Sequence, residues 1–117
     1  MIQSFKDLDI YQKSKKLVKD IYVITERYPE QEKYNVISQL RRNVLSIPLN
    51  IAEGYGRKSK EDFRRFLKIS LGSSSEVEAI LEISKELNYI KEEDYQKLSR
   101  ENDIIGKMIY RMIEKWK

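Results

Sequence analysis

The chain has 117 residues, of which 36% are charged and 40% hydrophobic, and a formal net charge of +4. It contains no cysteine and no histidine, which excludes disulfides, thiolate nucleophiles and zinc–thiolate sites and removes the commonest general base. No apolar stretch approaches the roughly 20 residues of a membrane span, and MIQSFKDLDIYQK lacks the apolar run of a signal peptide, so a cytoplasmic protein of one domain, residues 1–117, is expected.

In chain order, a first helix is predicted to begin near Asp7, a good N-cap, or near Ser4. Its apolar positions are Ile10, Tyr11, Leu17, Val18, Ile21, Tyr22 and Ile24. Pro29 is expected to end it, because a residue before proline is pushed out of helical geometry. A second helix is predicted from within PEQEKYN to about Tyr55. Pro29, Glu30 and Glu32 suit a helix N-terminus, and Gly54 and Gly56 read as its stop. Pro48 lies inside this helix and removes one ladder hydrogen bond, so a kink is expected there. Apolar spacing stays in phase from Ile47 to Ile51, which favours one kinked helix over two meeting at Pro48.

Two lines of side chains run along this second helix. Ile37, Leu40, Val44, Ile47 and Ile51 form an apolar face. Beside them Arg42, Ser46, Asn50, Glu53 and Arg57 form a polar stripe. On a helix expected to be largely buried, that stripe requires hydrogen-bond partners within the chain, in a second copy or on a ligand. Buried bonds are expected for Arg42, Asn50 and Glu53.

Ser59 opens a third helix, with Asp62 three residues on as in a capping box. Its apolar line is Phe63, Phe66, Leu67, Leu71, Val77, Ile80, Leu81 and Leu87. Gly72-Ser73-Ser74-Ser75 interrupts that line, yet Leu67, Leu71, Ser74, Val77 and Leu81 keep helical spacing. The run therefore reads as continuous helix whose small residues admit a neighbouring backbone, with Asn88 as the stop. A fourth helix, about Glu92 to Trp116, carries Tyr95, Leu98, Asn102, Ile105, Ile109, Met112 and Trp116 on one face. Four amphipathic helices with short connections predict an all-α, antiparallel up-down-up-down four-helix bundle.

The segments QLRRNVLSIPLNIAEGYGRKS and FRRFLKISLGSSSE, together with FKDLDIYQKS, ERYPEQEKY and LNYIKEEDY, carry a resemblance over nearly the whole chain. They closely resemble the small bacterial four-helix-bundle family encoded within intervening sequences of 23S ribosomal RNA genes. They are similar too to the accessory variability protein of diversity-generating retroelements. The resemblance implies a bundle often assembled as a ring of five subunits, a basic surface suited to nucleic acid, and no enzymatic activity. The retroelement relative acts as a partner of a reverse transcriptase, which implies a protein partner as a further possibility for this chain.

The residues themselves weigh against an enzyme. Glu53 and Glu76 are carboxylates available for acid–base work, but a di-metal site of the ferritin type needs histidines. GYGRKS also lacks the spacing of a phosphate-binding glycine loop. No cofactor and no metal site are expected. Positive charge collects in the middle third: Ser38 to Gly72 holds eight basic and three acidic residues, whereas Ser73 to Lys117 holds eight and ten. Arg41, Arg42, Arg57, Lys58, Lys60, Arg64, Arg65 and Lys68 are thus the candidate contacts to RNA or DNA, directed at the phosphate backbone rather than at base sequence. The eight tyrosines exceed what one thin core accommodates and point to interfaces, so self-association or docking of a protein partner is expected, with a pentamer as the assembly that the resemblance implies.

Overall fold

The computed structural model describes residues 4–117; Met1–Gln3, which open the segment searched for a signal peptide, lie outside the described residues. Four helices make up the fold: α1 (Asp9–Thr25), α2 (Val36–Gly56), α3 (Lys60–Glu86) and α4 (Glu92–Lys115), with 3-10 turns at Phe5–Asp7 and Glu30–Glu32. No strand occurs among the described residues. Each helix packs on two neighbours, α1 on α2 and α4, α3 on α2 and α4, in a body of 42 × 23 × 21 Å. Side chains of Leu17, Ile21, Leu40, Ile47, Ile51, Leu67, Leu81, Ile105 and Ile109 fill the shared interior. These are the in-phase apolar positions, and their burial is the main driving force for the fold.

Two helix starts differ from expectation. Ser4 and Asp7 do cap each other: Ser4 N–H donates to Asp7 Oδ2 at 3.1 Å, and Ser4 Oγ accepts from Lys6 N–H at 3.1 Å. They close only a 3-10 turn, however, because Leu8 is extended and α1 begins after it. Pro29-Glu30 likewise starts a 3-10 turn rather than α2, since Asn35 leaves helical geometry at φ −131°, ψ −100°. Glu32 then serves the true start: its Oε1 accepts from Asn35 Nδ2 at 3.1 Å and from Val36 N–H at 3.4 Å. Its Oε2 accepts from the Tyr89 hydroxyl at 2.7 Å. That bond, chiefly, holds the Glu32 carboxyl below its ordinary value and the Tyr89 hydroxyl above its own.

α2 is one unbroken helix through Pro48. Its glycines do not stop it. Gly54 and Gly56 both lie in the helix, and the left-handed residue beyond it is Lys58 at φ 59°. Gly54 is instead a packing glycine, for a Cβ there would stand 2.7 Å from Phe66 Cβ and 3.4 Å from Phe63 Cα. α3 runs continuously through the Gly72–Ser75 segment and ends at Glu86, with the chain turning at Asn88, which holds φ 60°.

Three serines of α3, Ser70, Ser73 and Ser74, give their hydroxyls to neighbouring helices, whereas Ser75 and Ser84 bond back to carbonyls of α3 itself. Ser70 Oγ donates to the Ile47 carbonyl at 2.9 Å and Ser73 Oγ to Ser46 Oγ at 2.8 Å. On the other side Ser74 Oγ donates to Asn102 Oδ1 at 2.9 Å, and Asn102 Nδ2 returns a bond to the Ser74 carbonyl at 2.9 Å. Gly72 takes no part; it faces solvent with nothing within 4 Å of a would-be Cβ. Further along, Glu78 accepts from the Tyr95 hydroxyl at 2.7 Å and from Ser99 Oγ at 2.8 Å. The bond to Glu78 raises the Tyr95 pKa, with burial adding to the rise. Arg64 pairs with Ile113, Ser74 with Asn102 and Glu78 with Ser99. Residue numbers rise along α3 as they fall along α4, so these two helices run antiparallel.

Candidate nucleic-acid interface

The α2–α3 turn, the start of α3 and the end of α4 meet at one end of the bundle. The tie is direct: Arg64 Nε donates to the Ile113 carbonyl at 3.0 Å, one of the last carbonyls of α4, which have no partner within their own helix. The opposite end collects Glu30, Glu32, Glu86, Glu92, Glu93 and Asp94, because the Tyr89–Glu32 bond joins the other two connections there. Arg57, Lys58, Lys60, Arg65, Lys115 and Lys117 lie at the first end and are exposed. Charges of the other sign occur at both ends, Arg27 with Asp94 and Lys85 with Glu92 at the opposite end, Asp62 with Arg65 and Glu114 with Lys117 at the first.

Within that end two arginines share one aromatic ring. The guanidinium carbons of Arg57 and Arg65 lie 5.2 and 4.4 Å from the Phe66 centroid. Each also holds a carboxylate on its own helix, Arg57 to Glu53 at 2.8 Å and Arg65 to Asp62 at 3.3 Å. Ser59 opens α3 by accepting from Asp62 N–H at 3.2 Å. Lys58, Lys60 and Lys68 are exposed and form no ion pair among the described residues. Their charges stand free for an outside anion.

The eight basic residues do not form one patch. Arg41 and Arg42 sit about 22 Å from Arg57 along α2, at a rise of roughly 1.5 Å per residue. Arg41 is occupied: its Nε donates to buried Thr25 Oγ1 at 2.9 Å, and its Nη2 to the Tyr22 carbonyl and Glu26, both at 3.3 Å. It also stacks 4.5 Å from the Tyr22 ring centroid, so it clasps α1 to α2. Arg64 is occupied by Ile113 as described. Arg42 is exposed and apart.

The polar stripe divides in the same way. Ser46 and Asn50 are half-buried and linked, with Asn50 Nδ2 donating to the Ser46 carbonyl at 2.8 Å and to Ser46 Oγ at 2.9 Å. Through Ser73 they reach α3. Arg42, Glu53 and Arg57 are exposed within the chain, so the buried bonds expected of Arg42 and Glu53 would have to be made to a second copy. The physical reason is angular: these three lie on the outer edge of the helix, beyond the serine contact.

Sequence reasoning passed over the aromatic side of this end. Tyr55 meets Phe63 edge-on at 6.0 Å, and Phe63 meets Trp116 edge-on at 5.4 Å. The signal available was the alternation of Tyr55, Phe63 and Phe66 with Arg57, Lys58, Lys60 and Arg65. A groove of about 790 Å³ between α3 and α4 is less suited to an anion, since Glu78 and Asp103 line it beside Arg100, Lys107 and Arg111. Among the described residues no cluster of three or more His, Cys, Asp or Glu could hold a metal ion. Among the described residues no helix is long and apolar enough to cross a membrane.

A profile of the 23S rRNA-intervening sequence protein family matches residues 6–111. The chain belongs to this family. A solved relative supports the assignment: the crystal structure, at 1.70 Å, of a protein of unknown function from the S23 ribosomal protein family of Bacteroides thetaiotaomicron VPI-5482. It superposes with a TM-score of 0.81, covering 90% of this chain and 95% of that one at 27% sequence identity. No match was found among curated proteins. Membership in the 23S rRNA-intervening sequence family accords with the all-α bundle.

Proposed function

We propose that this protein is a non-enzymatic, self-assembling bundle that binds nucleic acid through the basic end of each subunit, with little sequence preference. The observation that carries the reading is the group Lys58, Lys60 and Lys68, exposed and free of carboxylates, next to Arg57 and Arg65 astride Phe66. Such a group neutralises phosphates without reading bases. Repetition in a homo-oligomer, a ring of five in keeping with the family resemblance, would convert weak patches into useful affinity. Exposed Leu45 and Leu49 on α2 and Ile69, Ile83 and Leu87 on α3 supply apolar surface for such assembly.

Two measurements test this reading. Light scattering should give five times the subunit mass, and a stable monomer would remove the multivalent argument. Binding to unrelated RNA and DNA at two salt concentrations should fall steeply with salt. Lys60→Glu with Lys68→Glu should weaken all sequences alike and flatten the slope of log affinity against log salt by about 0.9 per lost phosphate contact. Arg64 is left intact in this test because it ties α3 to α4. A second reading, a scaffold that docks a protein partner without touching nucleic acid, is favoured by the same exposed apolar side chains. It takes over if the unaltered protein binds no nucleic acid even at low salt.

A further inference from the structure

We propose that the pocket at the basic end takes an unpaired nucleotide, its base against the aromatic lining and its phosphate on Lys58 and Lys60. The proposal rests on the nucleic-acid reading above and adds to it a preference for single strands over duplexes.

The pocket is a half-open cavity of about 530 Å³, and its lining combines Phe5, Tyr55, Phe63 and Trp116 with Lys58 and Lys60 and, among the described residues, includes no carboxylate. That size and that mixture of apolar walls with a few convergent polar groups are typical of small-ligand sites. Phe63 is buried and closes the floor, while Phe5, Tyr55 and Trp116 are only partly covered and keep apolar surface available. A planar group carrying negative charge is complementary to this lining. A nucleotide is such a group, and bases stack on aromatic side chains regardless of identity. In a duplex the bases are already stacked and paired, so only an unpaired or flipped one can enter.

Two residue choices bordering the pocket run against local preference. Gly56 is helical, has no positive φ, and a Cβ there would meet nothing within 4 Å. Neither backbone nor packing requires glycine, which weakens a helix relative to alanine; its missing side chain leaves the pocket open. Lys58, conversely, holds φ 59°, the left-handed geometry in which glycine is unstrained and a lysine is not. Side-chain-free residue and strained lysine thus sit where a ligand needs space and charge.

Trp116 is the only tryptophan in the chain, so its emission reports on the pocket directly. The full chain is titrated with a nucleoside monophosphate, a short homopyrimidine single strand and a mixed-sequence duplex, following both Trp116 emission and the anisotropy of labelled strands. The single strand should bind about tenfold tighter than the duplex, from one stacked base, and should quench Trp116. The duplex should bind without quenching. Gly56→Leu fills the pocket at a position where no atom obstructs it; it should abolish quenching and bring single-strand affinity to the duplex level. Lys58→Gly should weaken single-strand binding while leaving the aromatic lining in place. Equal affinity for both strands with unchanged emission overturns the pocket and leaves the backbone reading standing. Absence of binding by any strand overturns both, unless the free nucleotide alone quenches Trp116, an outcome that keeps the pocket as a nucleotide site and removes the strand. Quenching that survives Gly56→Leu also overturns the proposal.

Discussion

Gly54, Gly56 and Gly72 offer a sharp test of how α2 meets α3, because the same substitution should act with opposite sign. All three are helical and none has a positive φ. A methyl group at Gly54 would lie 2.7 Å from Phe66 Cβ, 3.2 Å from Phe63 Cδ1 and 3.4 Å from Phe63 Cα. Cβ and Cα cannot rotate away, so α2 and α3 must move apart along the whole serine contact. Overpacking of this kind costs about 1–3 kcal/mol, and the rigidity of these neighbours places it in the upper part of that span. Replacing a helical glycine by alanine returns about 1 kcal/mol. Gly54→Ala should therefore destabilise by about 1–2 kcal/mol, or roughly 4–8 °C in Tm for a chain of this size. Gly56→Ala and Gly72→Ala meet nothing within 4 Å and should stabilise by about 0.5–1 kcal/mol through helix propensity alone. Thermal unfolding followed by circular dichroism, at one protein concentration so that assembly does not shift the midpoint, separates the signs. If Gly54→Ala raises Tm as the other two do, the close approach of α2 to α3 is wrong.

Four further outcomes follow from the same contacts. Asn102→Ala strands the Ser74 hydroxyl in the core, while the Ser74 carbonyl keeps its bond within α3, and should cost roughly 1–3 kcal/mol in urea unfolding. Glu53→Ala removes only a half-exposed pair with Arg57 at 2.8 Å and should stay within about 0.5 kcal/mol; a larger loss would indicate that another subunit covers it. Lys58→Gly should raise stability by about 1 kcal/mol by relieving left-handed strain, opposite to its expected effect on binding. With no His or Cys side chain, urea unfolding should be flat between about pH 6 and 9. Above pH 10 it should weaken: burial chiefly raises the Tyr28 hydroxyl, and hydrogen bonds to Glu32 and Glu78 chiefly raise Tyr89 and Tyr95, all from 10.0. A raised tyrosine pKa means the folded state favours the protonated form, so its contribution is complete below the unfolded value and is lost as pH rises through the folded one.

The helices were legible because their apolar period is set by the chain itself. Ile37, Leu40, Val44, Ile47 and Ile51 face inward in any packing that buries one face of α2. Helix starts were less legible because two candidate caps compete before α1. Ser4 closes a short turn, Asp7 serves Ser4, and Leu8 rather than either precedes α1. Gly54 shows the limit most clearly. A glycine near the end of a helix reads as a stop from local preference, whereas here it is fixed by Phe63 and Phe66 of another helix. The serine run could be recognised as helix from spacing alone, but not which serine serves which neighbour.

The basic residues show why a charge count finds an end of the molecule and not a site. Arg41 and Arg64 look like their neighbours in sequence, yet their long stems carry the guanidinium to carbonyls of α1 and α4. Whether an arginine binds its own fold or an outside anion depends on which unpartnered carbonyl lies within reach, and that is set by how the helices register. In α2 and α3 the register is fixed by Gly54 against Phe63 and Phe66, and by Ser46 against Ser73. The same contact places Phe66 between Arg57 and Arg65 and leaves Lys58, Lys60 and Lys68 without carboxylates. A substitution that shifts the register should therefore disturb the fold and the basic end together, while Lys60→Glu and Lys68→Glu should disturb only the latter. Gly54→Ala consequently joins two tests in one variant: besides lowering Tm, it should reduce nucleic-acid affinity although it alters no charge. Loss of stability with affinity unchanged, measured well below the lowered Tm, would show that the lysines act without the arrangement of arginines around Phe66.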